Sequence, residues 1–137
     1  MRQRICLSFS VLFLWGILLP SCSVSERDQV EKVLEARRLG LEKKDIELYM
    51  SSISPRYGGQ AGGASVLRKK ASDMMEGFDS IRMQISSRQI AVLGEGAEAI
   101  QEYEVQVRKG DQVRELKGKE RIGLRKEEGG WKIISGL

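Results

Sequence analysis

The hydrophobic rhythm of the chain takes three forms in turn. Residues 5–19, ICLSFSVLFLWGILL, form one continuous apolar run. From Ser25 onward, apolar residues return every three or four positions. Val30, Val33, Leu34 and Leu41 share one face with the stem of Arg37, which is helical spacing. Ser25, with Asp28 three residues on, resembles a capping box with Asp in place of Glu or Gln. Gly40 weakens the middle of this helix. Asp45 is placed to cap a short second helix that offers Ile46, Leu48, Tyr49 and Ile53 for packing. Residues 54–63, SPRYGGQAGG, hold one Pro and four Gly and read as loop. Leu67, Ala71, Met74, Met75 and Phe78 then stand at i, i+4, i+7, i+8 and i+11, the stripe of a third, amphipathic helix.

After Asp79 the period becomes two. Ile81, Met83 and Ile85 lie on one parity, and Ile90 and Val92 on the other. A β-bulge near Ser86 and Ser87 would return them to one face. Tyr103, Val105 and Val107 alternate with polar residues, KGDQ reads as a hairpin turn, and Leu116, Ile122 and Leu124 share the next parity. EEGG is the last turn, before a strand with Trp131, Ile133 and Leu137 on one face. Three helices followed by a four-stranded antiparallel meander make an α+β domain, with the helices over one face of a curved sheet.

The first apolar run has another meaning. MRQR supplies positive charge ahead of a largely apolar segment of 15 residues, shorter than the roughly 20 a spanning helix needs. That is the pattern of a signal peptide, which is removed and plays no part in the fold. Its end, Leu19-Pro20-Ser21-Cys22, resembles the bacterial lipoprotein signal. The resemblance implies cleavage before Cys22 and a lipid on its thiol. Several chains on one Cys meet the requirement that stable anchoring takes more than one acyl group. The expected organisation is a lipoprotein signal peptide at 1–21, a lipidated tether at 22–27 and a folded domain at 28–137. Ser23 resembles the outer-membrane class, so the expected location is the periplasmic face of the outer membrane. At about 3.4 Å per residue the tether reaches less than about 20 Å, which keeps the domain close to the bilayer.

Composition narrows the chemistry. Removing Arg2 and Arg4 from the 23 basic residues leaves 21 against 19 acids, a net charge of +2 for residues 22–137. Such a balance argues against a nucleic-acid partner. There is no His, so the commonest neutral-pH base and metal ligand is missing. Cys6 lies in the signal and Cys22 is spent on lipid, which leaves no thiol for a disulfide or for catalysis. Neither a cofactor nor a metal is expected. GGQAGG lacks the Gly-Lys-Ser/Thr of a phosphate loop and follows no strand, so it reads instead as a flap at the mouth of the fold.

The first helix running into EKKDIELYMSSISPRY, together with the closing GKERIGLRKEEGGWKII, resembles the nuclear transport factor 2-like superfamily, also called SnoaL-like or cystatin-like. The resemblance implies a cone whose cavity opens between helices and sheet. It also implies a small apolar ligand and a homodimer through the sheet face. Some members are isomerases or dehydratases, while many are catalytically silent. The dehydratase pattern uses a His that this chain lacks, so no catalytic residue is assigned. Candidate cavity residues are Tyr49, Tyr57, Gln101, Tyr103, Glu120 and Trp131. Glu120 shares the parity of Ile122 and Leu124, and points into the cone as a ligand-binding or basic group. The favoured alternative is a strand end turned to solvent, or an ion pair with a cross-strand Arg. Gln101 shares the Tyr103 parity, as a pocket hydrogen-bonder or as an exposed residue near the strand's start. The tyrosines and Trp131 are otherwise core.

Overall fold

A computed structural model describes residues 24–59 and 62–137. The expected signal peptide and Cys22 lie outside the described residues. Helix α1 runs Glu26–Lys43, α2 Ile46–Ser51 and α3 Ala64–Gly77. Two-residue strands β1, Gly58–Gly59, and β2, Gly62–Gly63, pair within the expected loop. Strands β3 Ser80–Leu93, β4 Gly96–Lys109, β5 Gln112–Glu127 and β6 Gly130–Ser135 form an antiparallel meander in that order.

The caps follow the sequence signals. Ser25 Oγ accepts from the Asp28 N–H at 3.1 Å, and Asp45 Oδ1 accepts from the Leu48 N–H at 3.0 Å. Both satisfy N–H groups that the first helical turn leaves without an intrahelical partner. Gly40 does not interrupt α1. A Cβ there would lie 2.4 Å from the Tyr49 backbone nitrogen, so the glycine lets α2 cross directly against α1. Its helical cost is offset by this close approach.

The sheet register shifts between Ile85 and Ser87, the expected bulge. Through it, Ile81 and Met83 before the shift, and Ile90 and Val92 after it, all face the helices and join the core. Ala99, Val105, Val107, Ile122, Leu124, Trp131 and Ile133 complete that face against Val30, Leu34 and Leu41 of α1 and Leu67, Ala71 and Met75 of α3. Leu116 keeps the expected face, opposite Val105 of β4, but is not buried there. It is 60% exposed, at the border of an open cavity beside α3.

Both sheet edges are engaged by backbone-directed contacts. At β3, Glu42 accepts from the Met83 N–H at 2.8 Å, and Arg38 holds Glu35 and Glu42 at 2.8 Å each. At β6, Ser54 N–H donates to the Ile133 carbonyl and Ile133 N–H to the Ser52 carbonyl, 2.9 and 2.8 Å. These contacts occupy groups that would otherwise template pairing with another chain. The outer sheet face is charged. Lys117–Glu104, Lys119–Glu102 and Arg121–Glu98 join β5 to β4 at 2.9, 3.7 and 3.3 Å.

Candidate functional site

The site begins with a row of polar residues on the helix-facing side of the sheet. Register sets Arg88 of β3 opposite Gln101 of β4, and Gln101 opposite Glu120 of β5. Arg88 Nε donates to Gln101 Oε1 at 2.8 Å, and Gln101 Nε2 donates to Glu120 Oε1 at 2.6 Å. Helix α1 closes both ends of the row. Arg37 donates through both terminal nitrogens to Glu120, at 2.7 Å to Oε1 and 3.2 Å to Oε2. Arg88 reaches back to Glu35 at 2.9 Å. Arg37 is 9% exposed and Gln101 2%, so both lie inside the domain. A buried ion pair is tolerated only when further hydrogen bonds complete it, and Gln101 supplies one. Burial opposes the charge of Arg37. The Tyr49 and Glu120 oxygens beside it more than offset that, and its pKa lies above the ordinary guanidinium value.

Beside the row lies a cavity of about 340 Å³. Leu67, Ala71 and Met74 of α3 form one wall, with Met83, Val105 and Leu116 of the sheet opposite. Arg37, Leu41 and Tyr49 line it from α1 and α2, and Tyr103 and Glu120 from the sheet. Lys70 and Lys117 also border it. The volume falls near the lower end of small-ligand pockets, which are mostly apolar with a few placed polar groups. Tyr103 lies across its cross-strand partner Gly118, where a Cβ would come within 2.6 Å of the hydroxyl. The glycine thereby lets the ring lie across β5 at the cavity's border.

The candidates divide accordingly. Tyr49, Tyr103 and Glu120 line one cavity, and Gln101 bonds Glu120 from within the sheet. The partner of Glu120 is a helical Arg, not a cross-strand one. Gln101 sits five residues beyond the first residue of β4, Gly96, and is enclosed. Tyr57 and Trp131 are buried but lie outside this cavity. The Tyr57 hydroxyl donates to the Leu137 carbonyl at 2.7 Å and accepts from the Leu137 N–H at 2.8 Å, pinning the last strand's tail. Trp131 Nε1 donates to Glu26 at 2.6 Å, tying β6 to the start of α1. Gly58 borders a separate cleft of about 510 Å³ with Glu120, Ser135, Gly136 and Leu137.

Arg37, Arg88 and Glu35 complete the site and were not among the candidates. For the two arginines the signal was present as a charged residue at a core position. Arg37 stands on the α1 stripe, and Arg88 shares the Ile90 and Val92 parity after the bulge. Among the described residues, no group of three or more His, Cys, Asp or Glu is placed to hold a metal ion. No described helix is long and apolar enough to cross a membrane.

No protein-family model and no curated protein matches the chain. Solved structures do. A nuclear transport factor 2-like superfamily protein from Salmonella enterica serovar Typhimurium is 18% identical, with TM-score 0.72 over 81% of this chain and 87% of that one. A proposed dehydratase of the NTF2-like family from Streptomyces avermitilis is 16% identical, with TM-score 0.71 over 80% and 91%. An NTF2-like protein with a cystatin-like fold from Novosphingobium aromaticivorans is 13% identical, with TM-score 0.70 over 81% and 79%. Likeness at such identities speaks for architecture and leaves activity open. The chain has the nuclear transport factor 2-like α+β fold, three helices on a curved four-stranded antiparallel sheet.

Proposed function

We propose that this protein is a lipid-anchored component of the bacterial envelope whose cone binds a small ligand without transforming it. The observation that carries the binding half is the apolar cavity with the Arg37–Glu120 pair and Tyr49 on its lining. The non-catalytic half rests on how Glu120 is used. Its Oε1 accepts from Arg37 and Gln101, and its Oε2 accepts from Arg37. A general base needs a lone pair aimed at a substrate proton, and three of about four on this carboxylate are already occupied. The anchoring half rests on the sequence around Cys22 and on α1 starting at Glu26, four residues after it. Anchored there, the domain would sit at the periplasmic face of the outer membrane.

An isomerase or hydro-lyase reading has one observation in its favour, since Glu120 and Tyr49 border the same cavity. It requires Arg37 to release Glu120 when substrate arrives. Docking through the outer sheet face, to a second copy or a larger envelope complex, would proceed through the charged Glu–Lys and Glu–Arg ladder and be sensitive to salt.

Native mass spectrometry of the protein purified from its own membrane tests the proposal. The expected spectrum shows a diacylglyceryl mass on Cys22 and a retained small molecule. An unmodified Cys22 would sink the anchor.

A further inference from the structure

The backbone contacts at β3 and β6 leave one stretch of sheet edge bare. β5 runs Gln112–Glu127, yet β6 pairs with it only from Gly123 to Glu127. After Ser135 the tail leaves the ladder. Gly136, at φ +97°, lies so close to the Arg121 carbonyl that a Cβ would strike it, and Tyr57 holds Leu137 by both its N–H and its carbonyl. At the other end, Lys109 and Gln112 flank the two-residue turn Gly110-Asp111 as a hydrogen-bonded pair. Every second residue of β5, counted from Gln112, therefore turns its N–H and C=O to β4. Val113, Glu115, Lys117 and Lys119 turn theirs the other way, and no described residue bonds these backbone groups. Such an edge is a template for another strand. It also carries two exposed large apolar side chains, Val113 at 54% and Leu116 at 60%.

The bare window selects its own partner. It runs from Val113 to Lys119, and its midpoint is Leu116. An antiparallel second copy that satisfies every open group sets Val113 opposite Lys119 and Glu115 opposite Lys117, each twice. Leu116 then meets Leu116 of the second copy at the two-fold axis, on the helix-facing side, and both leave water. On the outer face, the new Glu115–Lys117 pairs extend contacts already present, since Lys117 holds Glu104 at 2.9 Å and Gln106 donates to Glu115 at 3.0 Å. Val113 lies along the Lys119 stem. Moving the axis by one residue either way sets Glu115 or Lys117 against its own copy, and like charges directly opposite are destabilising. Main-chain bonding, charge and apolar contact thus agree in one register.

We propose that this protein forms a two-fold homodimer by adding β5 of one copy to β5 of another, which joins the two four-stranded sheets into one. A contact of this isologous kind closes at two copies. It uses the strand edge and not the outer sheet face, and it stands whether or not the cavity holds a ligand.

Native mass spectrometry of the full membrane-purified protein should show a dimer. Mild oxidation of Leu116→Cys should link that dimer covalently, because facing residues of a non-hydrogen-bonded pair have Cα atoms about 4.5 Å apart, within disulfide reach. Val113→Cys, six residues from its own copy's position along the strand and so about 20 Å away, should not link. The wild-type chain, oxidised alongside, controls for Cys22. Lys117→Pro removes an N–H that β4 does not use. It should weaken the dimer at least about tenfold more than Lys117→Ala, which keeps that N–H, with thermal unfolding confirming that both variants fold. Glu115→Lys and Lys117→Glu chains should each be monomeric alone and pair when mixed, since each then meets the opposite charge. A monomeric wild-type protein, a Val113→Cys chain that links as readily as Leu116→Cys, or a Lys117→Pro dimer as tight as that of Lys117→Ala would each overturn the proposal.

Discussion

Arg37 and Glu120 lie 83 positions apart in the chain and meet inside it at 2.7 Å, with side chains 11% and 13% exposed. A pair so enclosed is weak evidence for added stability, because both charges left water to form it. Breaking it from one side is another matter. Arg37→Met strands the Glu120 carboxylate beside Gln101 and should cost about 3–5 kcal/mol. Arg37→Met combined with Glu120→Gln leaves no lone charge and lets two amides face each other across β4 and β5. The double variant should recover a substantial part of that loss in urea unfolding. If it is no more stable than Arg37→Met alone, the penalty comes from lost packing of the Arg37 stem and not from an unpaired charge.

Among the elements, the crossing of α1 and α2 hinges on Gly40. Any side chain there collides with Tyr49 backbone, with 2.4 Å to its nitrogen and 2.7 Å to its Cα. Gly40→Ala would raise helix propensity by about 1 kcal/mol in an isolated helix. Here it should instead destabilise the protein by about 1–3 kcal/mol through overpacking, as thermal unfolding would show. A gain in stability would mean that α2 can slide away freely. This residue also marks the boundary of what the chain reveals. The caps at Ser25 and Asp45, the α3 stripe and the bulge after Ile85 are local events, and each was legible from neighbouring residues. The role of Gly40 is not local, since spacing shows a weak helix position and cannot show Tyr49 lying against it. The polar row falls between these cases. Counting outward from the Lys109–Gln112 turn sets Gln101 opposite Glu120, so two of its members could be paired on paper. Arg37 arrives from a helix, and only the way α1 docks on the sheet brings it there.

Charge sets the conditions under which the whole molecule holds together. With no His, no side chain titrates near neutrality at its ordinary value. Several carboxyls lie below the ordinary 4.5. Burial pushes Glu35 up, but hydrogen bonds from Arg38 and Arg88 outweigh it. Lys126 and Trp131 lower Glu26, Arg68 lowers Glu47, and Ser54 with Arg56 lowers Glu127. Each binds a proton more readily in the unfolded chain than in the folded one. The stability they contribute is present above about pH 4.5 and is lost as pH falls through their lower folded values. Tyr57 acts at the other end. Burial raises its pKa above 10.0, so its contribution is present below that value and lost as pH climbs through the folded one. Unfolding free energy measured in urea should therefore run flat from about pH 6 to about pH 9 and decline on either side. A slope inside that plateau would require a buried group titrating near neutrality. Such a group is the best-suited acid–base catalyst at neutral pH, so a sloping plateau would favour the enzyme reading.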